Sequence, residues 1–74
     1  MERLSINRWL VKTDGDVVKF YDRKYDDQFV SSYFVETAIE HGGNKLQLDC
    51  GIPEWTVKDY EMVAIVGWLK AVTK

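Results

Sequence analysis

"LSINRWLVKTDGDVVKFYDRKY", residues 4–25, decides the fold. Asp14-Gly15 in its middle reads as a two-residue hairpin turn, because Asp and Gly tolerate the positive φ that such turns need. Counting outward from that pair places Val11 opposite Val18, Trp9 opposite Phe20, Leu10 opposite Lys19, and Arg8 opposite Tyr21. Side chains alternate between the two faces of a strand. One face therefore carries Trp9, Val11, Val18 and Phe20, which reads as the core face. The other carries Arg8, Leu10, Lys12, Val17, Lys19, Tyr21 and Arg23.

After the hairpin, residues 26–43 ("DDQFVSSYFVETAIEHGG") read as a helix. Asp26 or Asp27 would cap it, and their charge suits the positive end of the helix dipole. Phe29, Val30, Tyr33, Phe34, Thr37, Ala38 and His41 then fall on one face at helical spacing. Gly42 and Gly43 supply a helix stop. A short strand, "NKLQLDC", follows with Leu46 and Leu48 on one side. The segment from Val57 to about Val72 reads as a second helix. Its apolar residues go nearly all round, so a buried strand is the competing reading. Thr56 and Asp59 match a capping pattern, and Trp55 and Tyr60 then occupy the two positions of a hydrophobic staple. Pro53 biases Ile52 toward extended geometry, and Gly51 gives the chain a place to turn. The expected fold is α+β: a small single domain in ββαβα order, with an antiparallel hairpin-based sheet and two helices packed on it.

At 74 residues, a domain buries only roughly 60% of the surface its unfolded chain exposes. Disulfides, a structural metal or oligomerisation commonly help chains of this size. The single cysteine, Cys50, excludes an intramolecular disulfide, and with the single histidine, His41, it falls short of a four-ligand zinc site. No cofactor or metal is expected. A well-filled core or a homodimer remains, and 46% hydrophobic residues suit both. The lone thiol fits a reducing, cytoplasmic setting. The amino-terminal residues show no signal-peptide run. "MVAIVGWL", residues 62–69, is far shorter than the roughly 18 apolar residues of a membrane span. No membrane contact is expected.

Catalysis finds little support in the residue pattern. His41 and Cys50 would make a nucleophile–base pair only if the fold joined them, and buried or dipole-facing structural roles account for both. Ser31 and Ser32 lack a nucleophile-elbow context, the Asp26-Asp27 pair reads as a helix start, and no glycine-rich phosphate loop is present. The chain is read as non-enzymatic.

Surfaces offer more. A net charge of −2 rules out nucleic-acid binding through net charge alone. Yet half of the ten basic residues lie in the hairpin (Arg8, Lys12, Lys19, Arg23 and Lys24). With Tyr21 beside them, this outer face could meet phosphates and bases or an acidic protein patch. Apolar side chains exceed what the core needs: Val35 and Ile39 lie off the main face of the first helix, and Ile65 and Leu69 lie on the second. Contiguous exposed apolar surface marks contact sites, so these four residues are expected at an interface with another protein or a second copy. The preferred reading is a small binding module acting by protein–protein contact as a regulator, inhibitor or adaptor. Chains of this size and make-up include such proteins carried by phages and other mobile elements. The alternative is a nucleic-acid-binding module that uses the basic outer face of the hairpin.

Overall fold

A computed structural model describes residues 2–48 and 52–73; Asp49, Cys50 and Gly51, and the roles read for them, lie outside that range. Strands β1 (Arg3–Ile6), β2 (Trp9–Asp14), β3 (Val17–Asp22) and β4 (Gln28–Phe34) form one antiparallel sheet in the order β1-β2-β3-β4. Helix α1 (Val35–His41), a two-residue ribbon of β5 (Leu46–Gln47) and β6 (Thr56–Val57), and helix α2 (Asp59–Val72) follow. The α+β class, the hairpin-based antiparallel sheet and the two helices are as the sequence predicts. The coarse order of strands, helix, strands, helix follows ββαβα with more strands in each strand block.

The central turn lies one residue later than predicted. Asp14 pairs with Val17, so Gly15 and Asp16 form the loop. Gly15 takes φ +61° while Asp16 keeps a negative φ, matching a type II′ turn with Gly in its first central position. Val11 therefore faces Phe20, Trp9 faces Asp22, and Leu10 faces Tyr21. Moving a turn by one residue shifts the pairing by two, and a two-residue shift leaves every side chain on its own face. The predicted core face thus survives the wrong register: Trp9 is 1% exposed, and Val11, Val18 and Phe20 are fully buried. A further turn at Asn7 and Arg8, with Asn7 at φ 52°, splits the front of the segment into β1 and β2. Asn is among the few residues other than Gly that visit this region routinely.

The predicted first helix is half wrong. Gln28–Phe34 is a strand, and only Val35–His41 is helical. Aromatic and β-branched residues fit a pleated, half-buried surface, and Phe29, Val30, Tyr33 and Phe34 find one against β3. Tyr33 meets Phe20 edge-on, with ring centroids 6.0 Å apart. A bulge disguises the strand in the sequence. Tyr21 pairs with Phe29 and Phe20 with Ser31, so Val30 is an extra residue and strict alternation is lost. The surviving 3–4 spacing imitates a helix. Asp26 and Asp27, read as caps, both sit at φ 58° in the turn that leads into β4. The stop is as predicted: Gly42, at φ 73°, donates its N–H to Ile39 O at 3.1 Å.

Residues 59–72 settle as helix rather than buried strand. The cap differs from the one expected. Thr56 lies in β6, Lys58 precedes the first turn, and its N–H donates to Glu61 Oε1 at 2.9 Å. Trp55 does not staple onto Tyr60, which is 58% exposed and accepts a hydrogen bond from Asn7 Nδ2. The buried face of α2 is Glu61, Met62, Ile65, Val66 and Leu69. Tyr60, Ala64 and Ala71 look outward.

Both helices and Val57 close over one face of the sheet. Trp9, Val11, Val18 and Phe20 join Val35, Ala38, Leu48, Val57, Met62, Ile65, Val66 and Leu69 in one cluster. Full burial of each large apolar side chain contributes roughly 1.5–3 kcal/mol. Gly67 adds nothing to this cluster, since it is exposed in mid-helix and a Cβ there would meet no atom within 4 Å. Gly67→Ala is expected to stabilise the protein by about 0.5–1 kcal/mol, read as a higher urea midpoint at unchanged slope. A lower midpoint would contradict this account of α2. Gly43 is different, because a Cβ there would lie 2.5 Å from Val63 Cγ2.

Candidate interaction surface

The sheet face opposite the helices is open, and its composition follows from the register. One ladder row across the four strands reads Arg3, Lys12, Lys19, Ser32. The next reads Ser5, Leu10, Tyr21, Phe29, and the row nearest the Gly15 turn reads Asp14, Val17, Phe34. Tyr21 and Phe29 meet edge-on with centroids 5.6 Å apart, and Lys12 Nζ lies 4.9 Å from the Tyr21 centroid. Leu10 lies between Ser5 and Tyr21 and is only 7% exposed. Phe29 and Phe34 stand 50% and 66% exposed. Lys19 lies 3.7 Å from Asp14 Oδ2.

Of the predicted contact residues, Lys12, Lys19 and Tyr21 are on this face. Arg8 and Arg23 are elsewhere. Arg8 belongs to a turn, opposes no Tyr21, and is spent on Asp22. Arg23 lies in a single 3-10 turn (Arg23–Tyr25) and donates from Nη1 to Asn7 O at 3.2 Å. The apolar quartet is corrected more severely. Ile65 and Leu69 are fully buried, Val35 is 8% exposed, and Ile39 packs against the core cluster. The supposed surplus is the core itself, so the dimer expectation loses the residues it rested on. Phe29 and Phe34, assigned to the buried face of a helix in the sequence reading, are what the surface gains. Their β-rich neighbourhood was the available signal.

Asp22 was also missed. Its carboxylate is fully buried at the end of β3 and takes four donors. Arg8 Nε donates to Oδ1 at 3.0 Å while Arg8 Nη2 binds Oδ2. The Lys24 N–H donates to Oδ1 at 3.0 Å and Trp55 Nε1 to Oδ2 at 2.9 Å. Burial alone would push this carboxyl up. Hydrogen bonds from Arg8, Lys24 and Trp55, with the Arg8 charge, outweigh it and hold the pKa below the usual carboxylate value. The hydrogen bond to Asp22 in turn holds the Arg8 pKa above its ordinary value. Tyr25 OH donates to Glu54 Oε1 at 3.3 Å, and Arg8 Nη2 lies 3.8 Å from Glu54 Oε2. These bonds make the cluster a lock between the β1–β2 turn, β3 and the loop before β6. The sequence held a signal: Val18, Phe20 and Asp22 share one parity, which points the carboxylate inward.

Of the residues weighed for chemistry, Cys50 lies outside the described residues. His41 Nε2 lies 3.1 Å from Asn44 O, and Ser31 and Ser32 belong to β4. Among the described residues no three His, Cys, Asp or Glu side chains gather at metal-binding distance, and no helix is long and apolar enough to cross a membrane. No protein family, curated protein or solved structure matches this chain.

Proposed function

We propose that this protein is a small non-enzymatic binding module, of regulator, inhibitor or adaptor type, that docks a protein partner on the open face of its four-stranded sheet. The observation that carries the reading is the exposure of Phe29 and Phe34 on a face whose centre, Leu10 and Tyr21, is already apolar and well packed. Interface cores are enriched in aromatic side chains; the polar row Arg3, Lys12, Lys19 and Ser32 runs between Phe29 and Phe34 and offers charged contacts beside each of them.

The same face weighs against the nucleic-acid alternative. Tyr21 is engaged by Phe29 and by the Lys12 ammonium, which leaves its ring less open to stack a base. Lys19 is near Asp14, and the predicted cations Arg8 and Arg23 are turned elsewhere. Too few free charges remain here for a phosphate-tracking groove.

The test is affinity capture from the source cell with the wild type and with Phe29→Ser/Phe34→Ser, both checked by circular dichroism. The expected result is a protein captured near one-to-one by the wild type and lost at least tenfold by the variant, since buried aromatic anchors cost about 2 kcal/mol or more when truncated. Equal capture by both proteins would overturn the reading. So would tight, steeply salt-dependent binding of a single-stranded oligonucleotide by the wild type.

A further inference from the structure

A groove of about 850 Å³ opens at the end of the molecule where the β2–β3 turn, the start of α1 and the end of α2 converge. Its apolar lining comes from Val35, Ile39 and Val72, with Phe34 alongside. Five carboxylates stand around it: Glu2, Asp14, Asp16, Glu36 and Glu40. Among the described residues no basic side chain lines it; Lys19 lies beside Asp14, and Lys70 is in the last turn of α2. Val72 and Thr73 also line it, so the negative end of the fourteen-residue α2 lies at the rim. Helix C-termini favour cations, and this contribution is independent of the side-chain charges.

We propose that this groove binds a basic peptide segment, with lysine or arginine side chains against the carboxylate rim and a bulky apolar side chain seated on Ile39 and Val72. Charge complementarity selects the occupant, because an anionic segment would face five like charges and a helix dipole of the same sign. A single metal ion does not fit, since among the described residues no three of these carboxylates converge at ligand distance. The ligand must therefore spread its cations along the rim, and the apolar lining asks it to carry a hydrophobic anchor between them. The groove is a second surface, distinct from the sheet face except at Asp14 and Phe34, and it stands whether or not that face binds a partner.

The experiment is a fluorescence-anisotropy titration of the full chain, at low ionic strength, with three short labelled peptides of equal length. One is built of lysine and leucine, one of lysine and serine, and one of glutamate and leucine. The lysine–leucine peptide is expected to bind tightest. Glu36→Gln/Glu40→Gln should weaken it roughly three- to tenfold, the sum of two exposed charge pairs. Phe29→Ser, which lies off the groove, should leave it unchanged. The amide NMR signals of Gly15, Glu36, Ile39 and Val72 should move on titration. Equal binding of the glutamate–leucine peptide would overturn the charge argument, and equal binding of lysine–serine or of spermine the apolar anchor. A footprint on Tyr21 and Phe29 would overturn the site. Concentration-dependent shifts of the groove signals in the protein alone would overturn the choice of occupant, making the groove a contact between copies.

Discussion

Asp22→Ala is expected to cost about 3–5 kcal/mol, the cost of leaving one partner of a buried ion pair uncompensated. A chain of this length has roughly 4–11 kcal/mol of total stability, so the variant should be largely unfolded or close to it at 37 °C. The reason is local. Arg8, the Lys24 amide and the Trp55 indole all aim at one fully buried carboxylate. Removing it strands four donors on three groups, one of them a charged guanidinium. Removing both ends of the ion pair should hurt less than removing one, so Arg8→Met/Asp22→Leu should be more stable than Asp22→Ala. Urea denaturation decides: a loss below about 1 kcal/mol in Asp22→Ala would mean that the cluster is not a lock.

The same carboxylate sets an acid limit. Its pKa is lower in the folded protein than in the unfolded chain. Its stabilising contribution is therefore fully present above the unfolded carboxylate value of about 4, and is lost as pH falls through the folded value. The urea midpoint of the wild type should drop on acidification below about pH 4. Asp22→Asn, with no charge to lose, should drop less over that window. Parallel curves for the two proteins would contradict the assignment.

Ile65→Asp is expected to abolish folding altogether. Ile65 and Leu69 are fully buried in the cluster that joins α2 to the sheet. Losing the buried isoleucine side chain costs about 2–5 kcal/mol, and an unpaired carboxylate in its place adds several more. The sum meets or exceeds the whole stability of the domain. No cooperative thermal transition and collapsed amide dispersion are expected, and Leu69→Asp should behave alike. A folded Ile65→Asp monomer would instead restore the view that α2 presents this face to a second copy.

How much was legible follows from which rule each residue obeys. Alternation around the β2–β3 turn needs only period two and a glycine, so Trp9, Val11, Val18 and Phe20 were placed inward even with the register off by two. Phe29 and Phe34 were not, because the bulge at Val30 erased the alternation and left a spacing that a helix also satisfies. Ile65 and Leu69 were recognised as apolar and helical, but which side of an all-round apolar helix meets the sheet is not written in its periodicity. Of the candidate surface, Lys12, Lys19 and Tyr21 could be read from parity alone. Arg8 could not, because its side chain follows Asp22, whose depth depends on the whole fold.

The sequence by itself therefore determined the class of fold, the inward face of the central hairpin and the stop at Gly42. These rest on turn chemistry, alternation and capping, all of which act within a few residues. Tertiary structure alone decided the fate of residues 28–34, the buried side of α2, the Asp22 lock and the acid-rimmed groove. Each depends on which distant segments share a layer: an edge strand needs β3 beside it, a carboxylate needs donors from residues 8, 24 and 55, and a groove needs three chain ends to converge. No local pattern carries that information, because the free energy that selects it is released only when those segments meet.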